Sequence, residues 1–99
     1  MNCLESFIDE MLKESIPKEA LLNELLEGLA NEPLPTMEQA KTGFFRTTNL
    51  HGIRYDHAER TVTIVYRVVD GIYEPTKVSF AHFTVVLEGL LVCRRKHKW

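Results

Sequence analysis

Hydrophobic residues recur at helical spacing through the first third of the chain. In residues 3–14 the apolar positions lie three and four apart, and they are Leu4, Phe7, Ile8, Met11 and Leu12. This spacing places them on one side of an amphipathic helix. A second stripe contains Leu21, Leu22, Leu25, Leu26 and Leu29. Because Pro17 suits a first helical turn, we expect the second helix over residues 17–30.

The segment after the second stripe interrupts helical structure. Its two prolines, in "NEPLP", lack backbone N–H donors and bias the preceding residues away from helical angles. Thr36 and Gln39 then have the spacing of a capping box, and Gly43 suits a helix end. The sequence therefore predicts a short third helix over residues 37–42.

Strand-like alternation replaces helical spacing from Phe44 onward. The clearest strand alternates Val62, Ile64, Tyr66 and Val68 with more polar neighbours, which is typical of a half-buried strand. Asp70-Gly71 follows it and predicts a two-residue hairpin turn. To keep both strands apolar on the same face, one extra residue is expected as a bulge near Pro75-Thr76. That register pairs Val78 with Ile64, and Phe80 with Val62.

Two further stretches complete the predicted sheet. "IRY" before "DHAER" indicates a strand that enters a tight turn at Asp56 and continues into residues 61–69. Residues 80–92 have apolar positions at helical spacing, but they also contain several β-branched residues and Gly89. We interpret the C-terminal stretch as two strands, over residues 82–87 and 90–95.

These elements predict an α+β fold. Two or three N-terminal helices pack on a C-terminal antiparallel β-meander of four to five strands, in one domain over residues 1–99. The length of 99 residues is near the usual size of one domain. A chain this short has modest stability, and self-association is a natural supplement to it.

The net charge of −2 conceals a division between the two parts of the chain. Residues 1–43, the helical part, have three lysines against nine acidic residues, a net charge of −6. Residues 44–99, the β part, have nine basic against five acidic residues, a net charge of +4. The division is consistent with acidic helices that pack on a basic sheet, and equally with a nucleic-acid contact.

No group of residues in the sequence has the pattern of a catalytic or cofactor site. The glycines are scattered and not clustered as a phosphate loop requires, and the histidines lack partner ligands at zinc spacing. Asp56 and His57 are adjacent, which points their side chains to opposite faces of a strand. We therefore predict no enzyme activity, no metal and no cofactor, and keep a small hydrolase built around His57 as a remote option.

Basic and aromatic residues interleave in the β part and at the C-terminus. A sheet or tail of this composition can stack bases and neutralise phosphates. The residues that would carry such binding are Arg46, Arg54, Arg67, Arg94, Arg95, Lys96, Lys98 and Trp99. Aromatic residues in strands more often pack in a core, so nucleic-acid binding ranks second.

The preferred interpretation is a non-catalytic interaction or regulatory module that associates with itself. If the last strand lies at a sheet edge, Leu90, Leu91 and Val92 would form an apolar seam with a second copy or another protein. No signal peptide or apolar run of membrane-spanning length is present in the sequence, so we expect a cytoplasmic protein without a membrane partner.

Overall fold

A computed structural model of the chain describes residues 2–13, 19–31, 43–69 and 71–96. The elements in chain order are α1 (Cys3–Lys13), α2 (Glu19–Ala30), β1 (Arg46–Thr47), β2 (His51–Asp56), β3 (Thr61–Tyr66), β4 (Thr76–Ser79) and α3 (Phe80–Lys96). N-terminal helices thus precede an antiparallel sheet, which confirms the predicted α+β fold class. The predicted helix over 37–42 and the predicted start of the second helix at 17 lie outside the described residues.

The four strands form a meander in which neighbours in sequence are neighbours in the sheet, in the order β1-β2-β3-β4. Ile53 of β2 lies opposite Ile64 of β3, and Val62 of β3 lies opposite Val78 of β4. The predicted turn after β2 is confirmed, because Asp56 Oδ1 accepts a hydrogen bond of 3.0 Å from the backbone N–H of Glu59. Strand alternation therefore directs the large aliphatic side chains of β2 and β3 to one face.

The three helices cover this aliphatic face of the sheet. The core joins all of them to β2 and β3, and its fully buried hydrophobic side chains are Cys3, Phe7, Met11, Leu22, Leu25, Ile53, Val62, Ile64, Phe83 and Leu87. Each large aliphatic or aromatic side chain contributes about 1.5–3 kcal/mol by its burial. The amphipathic stripes predicted for α1 and α2 supply four of these residues, Phe7, Met11, Leu22 and Leu25.

The two strands predicted over residues 82–87 and 90–95 are wrong, because this stretch is helix α3. Ser79 caps the helix by accepting a hydrogen bond of 3.0 Å from the backbone N–H of His82. β-branched residues cost a helix no more than about 0.7 kcal/mol each. The stretch also buries five large apolar side chains at helical spacing, namely Phe80, Phe83, Leu87, Leu90 and Leu91. Burial against α1 and α2 therefore outweighs the local preference for strand.

The predicted two-residue hairpin with a bulge is also wrong. β3 ends at Tyr66, β4 begins at Thr76, and residues 67–75 connect them. Tertiary contacts hold both ends of the connection. The backbone N–H of Arg67 donates to Leu50 O at 2.8 Å. The Cys3 backbone N–H donates to Thr76 Oγ1 at 3.1 Å.

The observed β3–β4 register differs from the predicted one. Ile64 lies opposite Thr76, where we predicted Val78. Val62 lies opposite Val78, where we predicted Phe80. Phe80 is instead the first residue of α3. Asp70 lies outside the described residues, and its neighbour Gly71 has a φ of 82°. The connection is therefore long enough for Val62 and Ile64 to remain on the core face without a bulge.

Candidate functional site

Four buried polar residues meet where α1 packs on the hairpin of β1 and β2. We call Ser6, Glu10, Thr48 and His51 the polar cluster. The two ring nitrogens of His51 lie at hydrogen-bonding distance from side chains of α1: Nδ1 is 2.6 Å from Glu10 Oε1, and Nε2 is 3.0 Å from Ser6 Oγ. Thr48 Oγ1 donates to Glu10 Oε1 at 2.6 Å and accepts from the His51 backbone N–H at 2.9 Å. The cluster thereby fixes α1 to the sheet.

The carboxylate of Glu10 is the electrostatic centre of the polar cluster. Burial by itself raises the pKa of Glu10, but hydrogen bonds from His51 and Thr48 and the charge of His51 outweigh it. The pKa of Glu10 therefore lies below its usual value, and the group is ionised at neutral pH. Its second oxygen, Oε2, is buried and has no hydrogen-bond partner among the described residues.

In the polar cluster His51 lies between Ser6 and Glu10, as the base lies between the nucleophile and the orienting acid in many hydrolases. The environment here differs from that of a reactive site. The His51 ring is completely buried, and Ser6 is buried as well, so the described residues leave a substrate no path to the base. The backbone N–H of Ser6 is already bonded to Asn2 O at 2.9 Å. We therefore assign the polar cluster a structural role.

The sequence reasoning missed the polar cluster and considered His57 instead. A sequence signal for the cluster exists, because Ser6 and Glu10 lie four apart beside Phe7 and Met11 on the buried side of α1. The structure places His57 elsewhere, with Nε2 2.7 Å from the carbonyl oxygen of Gly28. In this position His57 binds a backbone carbonyl near the end of α2.

An aromatic stack beside His57 fixes α2 on the sheet. Tyr55 stacks on Phe45, with ring centroids 4.7 Å apart, and its hydroxyl donates to Leu25 O at 2.7 Å. Burial raises the pKa of Tyr55 far above its usual value, so the hydroxyl keeps its proton and remains a donor. A Cβ atom at Gly28 would lie 2.6 Å from Phe45 Cζ, so only glycine fits at this contact.

The three arginines predicted to contact nucleic acid point in different directions. Arg46 forms an ion pair with Glu24 of α2, which joins the acidic helical part to the basic sheet. Arg67 donates from Nη1 to Thr48 O at 3.0 Å. Arg54 is exposed and lies over the ring of Phe44, 4.9 Å from its centroid. Of the three, Arg54 is therefore the one displayed on the sheet surface.

The predicted C-terminal contacts lie at the end of α3 or beyond it. The backbones of Arg94, Arg95 and Lys96 form the last turn of the helix. Lys98 and Trp99 lie outside the described residues. Phosphate binding by these five C-terminal residues remains a prediction.

The residues predicted for self-association fall on two sides of α3. Leu90 and Leu91 are buried in the core, so a second chain cannot reach them in this fold. Val92 is 50% exposed. It lies on the solvent side with Val85, which is 69% exposed, and with Gly89, whose Cβ position has no neighbour within 4 Å. We call Val85, Gly89 and Val92 the outer stripe of α3.

A cleft of about 620 Å³ opens where α2 ends and α3 begins. Leu26, Leu29 and Phe80 are among its apolar walls. Its hydroxyl groups already have backbone partners: Ser79 caps α3, and Thr84 donates to Phe80 O at 2.8 Å. The cleft therefore presents mainly an apolar surface.

Within the described ranges, no three His, Cys, Asp or Glu side chains converge as metal ligands would. None of the helices in the same ranges has the length and apolar character needed to cross a membrane. The chain matches no protein-family model, no curated protein and no solved structure.

Proposed function

We propose that this protein is a non-catalytic interaction module that associates with itself through the outer stripe of α3. The observation that carries the proposal is the exposure of apolar residues on the solvent side of a helix whose opposite side already fills the core. Single exposed aliphatic side chains are common on protein surfaces. Here Val85, Gly89 and Val92 follow one another at spacings of four and three, so they lie on one side of α3.

Gly89 supports a contact with another helix. A glycine inside a helix costs about 0.8–1.0 kcal/mol relative to alanine. No described side chain needs the space, because a Cβ atom at Gly89 would meet nothing within 4 Å. The missing side chain lets a second backbone approach α3 closely at this point.

A second copy of the chain fits the outer stripe by symmetry. In a two-fold dimer the same surface serves both subunits. If two α3 helices pair antiparallel around Gly89, Val85 of one copy lies beside Val92 of the other on both sides of the centre. The contact would remove Val85, the most exposed large apolar side chain among the described residues, from water.

The test is the molar mass of the protein in solution, measured by light scattering over a range of concentrations. As the concentration increases, we expect the molar mass of the wild-type protein to rise from that of one chain towards that of two. Val85→Glu should remain monomeric, because a dimer would bury an unpaired carboxylate in the contact. Val68→Glu is the matched control, since Val68 is 54% exposed but lies in the connection between β3 and β4.

Two results would contradict the proposal. One is a wild-type protein that stays monomeric at every concentration. The other is dissociation by Val68→Glu with no effect of Val85→Glu, which would place the contact on the connection. Circular dichroism of both variants ensures that a change in mass is not a change in folding.

A further inference from the structure

The sheet has a second face, opposite the helices, which we call the open face. Strand alternation places Arg54, Thr63 and Lys77 on it, because their neighbours Ile53, Val62, Ile64 and Val78 point towards the helices. The three residues lie in one row across β2, β3 and β4. Arg54 and Lys77 are both exposed. Two cationic side chains therefore extend from backbones about 10 Å apart, twice the usual strand spacing.

An aromatic ring lies beside this row. A Cβ atom at Gly52 would be 2.7 Å from the ring of Phe44, so the ring occupies the space that a side chain at Gly52 would fill. The Arg54 guanidinium is positioned over the same ring. Gly52 thus lets an aromatic ring lie on the open face next to a cation. The Arg54 guanidinium, held over this ring, offers a base a planar surface and a phosphate a charge.

We infer that the open face binds single-stranded nucleic acid through Phe44, Arg54 and Lys77. Charge complementarity selects this partner, since both charged side chains of the central row, Arg54 and Lys77, are exposed cations. Asp56 lies on the same face two residues further along β2, and its carboxylate accepts the backbone N–H of Glu59 in the turn at the end of the sheet. The small side chain of Thr63, between the two cations, leaves room for an extended strand.

Single strands fit this surface better than a duplex. A guanidinium plane on an exposed sheet face can stack an unpaired base, whereas bases inside a duplex are already stacked. The major groove of duplex DNA is read by an α-helix or a two-stranded ribbon that enters it, and a four-stranded sheet face is too wide for that. This binding is independent of the outer stripe, which lies on α3 and shares no residue with the open face.

The experiment measures fluorescence anisotropy of labelled single-stranded RNA and DNA of mixed sequence, with the full chain at low salt. The main variant is Arg54→Glu/Lys77→Glu. We expect it to weaken binding at least tenfold and to make the slope of log K against log salt shallower by about 1.4, the value for two lost phosphate contacts on a single strand. Phe44→Leu is expected to weaken binding about two- to fivefold, because the Arg54 guanidinium loses the ring over which it is positioned.

Lys13→Glu is the matched control, because it reverses a highly exposed cation on α1, away from the open face. We expect Lys13→Glu, and also Val85→Glu in the outer stripe, to bind as the wild-type protein does. Thermal unfolding followed by circular dichroism establishes that each variant is folded.

Four outcomes would overturn the inference. The first is the absence of saturable binding at low salt, and the second is an equal loss of affinity in Lys13→Glu and in the single variant Lys77→Glu. The third is an acidic peptide that competes for the site as well as unlabelled nucleic acid does. The fourth is binding that survives Arg54→Glu/Lys77→Glu but is lost when residues 97–99 are deleted. The last result would assign the contact to the basic C-terminus. None of these outcomes changes the expectation for Val85→Glu in the mass measurement.

Discussion

Replacement of Glu10 by alanine tests whether the polar cluster fixes α1 to the sheet. The side chain is almost fully buried, and its Oε1 atom accepts from Thr48 and lies within hydrogen-bonding distance of His51 Nδ1. In Glu10→Ala both buried groups lose their acceptor. An unsatisfied buried donor costs about 1–3 kcal/mol, so two of them should lower the free energy of unfolding by about 2–6 kcal/mol. Alanine recovers a few tenths of a kcal/mol as a better helix former.

A loss of this size is a large part of the stability of a small domain, which is typically about 5–15 kcal/mol. Urea unfolding followed by circular dichroism measures it through the shift of the midpoint at constant slope. Asp9→Ala is the control on the same helix. Asp9 forms an exposed i,i+4 ion pair with Lys13, and such pairs contribute about 0.3–0.5 kcal/mol.

A double-mutant cycle separates the polar cluster from ordinary side-chain packing. In Glu10→Ala/His51→Ala the histidine donor is removed together with its acceptor. We therefore expect the double variant to be more stable than the sum of the two single losses predicts, by about 1 kcal/mol or more. The reasoning would be refuted if Glu10→Ala cost no more than Asp9→Ala, or if the two single losses were additive.

Three further predictions concern stability. The pKa of folded Glu10 lies below its unfolded value of about 4.5, so its contribution to stability is complete above that pH and is lost as the pH falls through the folded pKa. In urea unfolding, the stability gap between wild type and Glu10→Gln should therefore stay constant from neutral pH to about pH 4.5 and narrow as the pH falls further. Gly28→Ala should cost about 1–3 kcal/mol in the same assay, because the added Cβ overlaps Phe45, and a cost near zero would contradict the close contact. Gly71→Val should cost about 1–2 kcal/mol from its φ of 82° alone, since the site has open space; equal thermal stability to wild type would argue against that backbone angle.

The sequence by itself determined the local elements for which the spacing of apolar residues and the side-chain chemistry agree. α1 has its apolar residues at helical spacing and few residues that oppose a helix, and the helix predicted over residues 3–14 is observed over Cys3–Lys13, the part of that range that the structure describes. β3 alternates clearly, and β2 is predicted from its place before the turn that Asp56 begins; the structure has both strands and the turn. Spacing and side-chain chemistry are local properties, which is why they can be inferred without knowing the fold.

Tertiary structure decided the elements for which local evidence conflicts. Residues 80–96 contain β-branched residues and Gly89, and they become a helix because α1 and α2 provide a surface on which helical spacing buries Phe83 and Leu87. The polar cluster is also a tertiary feature, since it joins Glu10 to His51 across 41 positions. The open face and the outer stripe likewise exist only once the helices have covered one side of the sheet. Burial depends on what packs against a residue, and a local pattern does not contain that information.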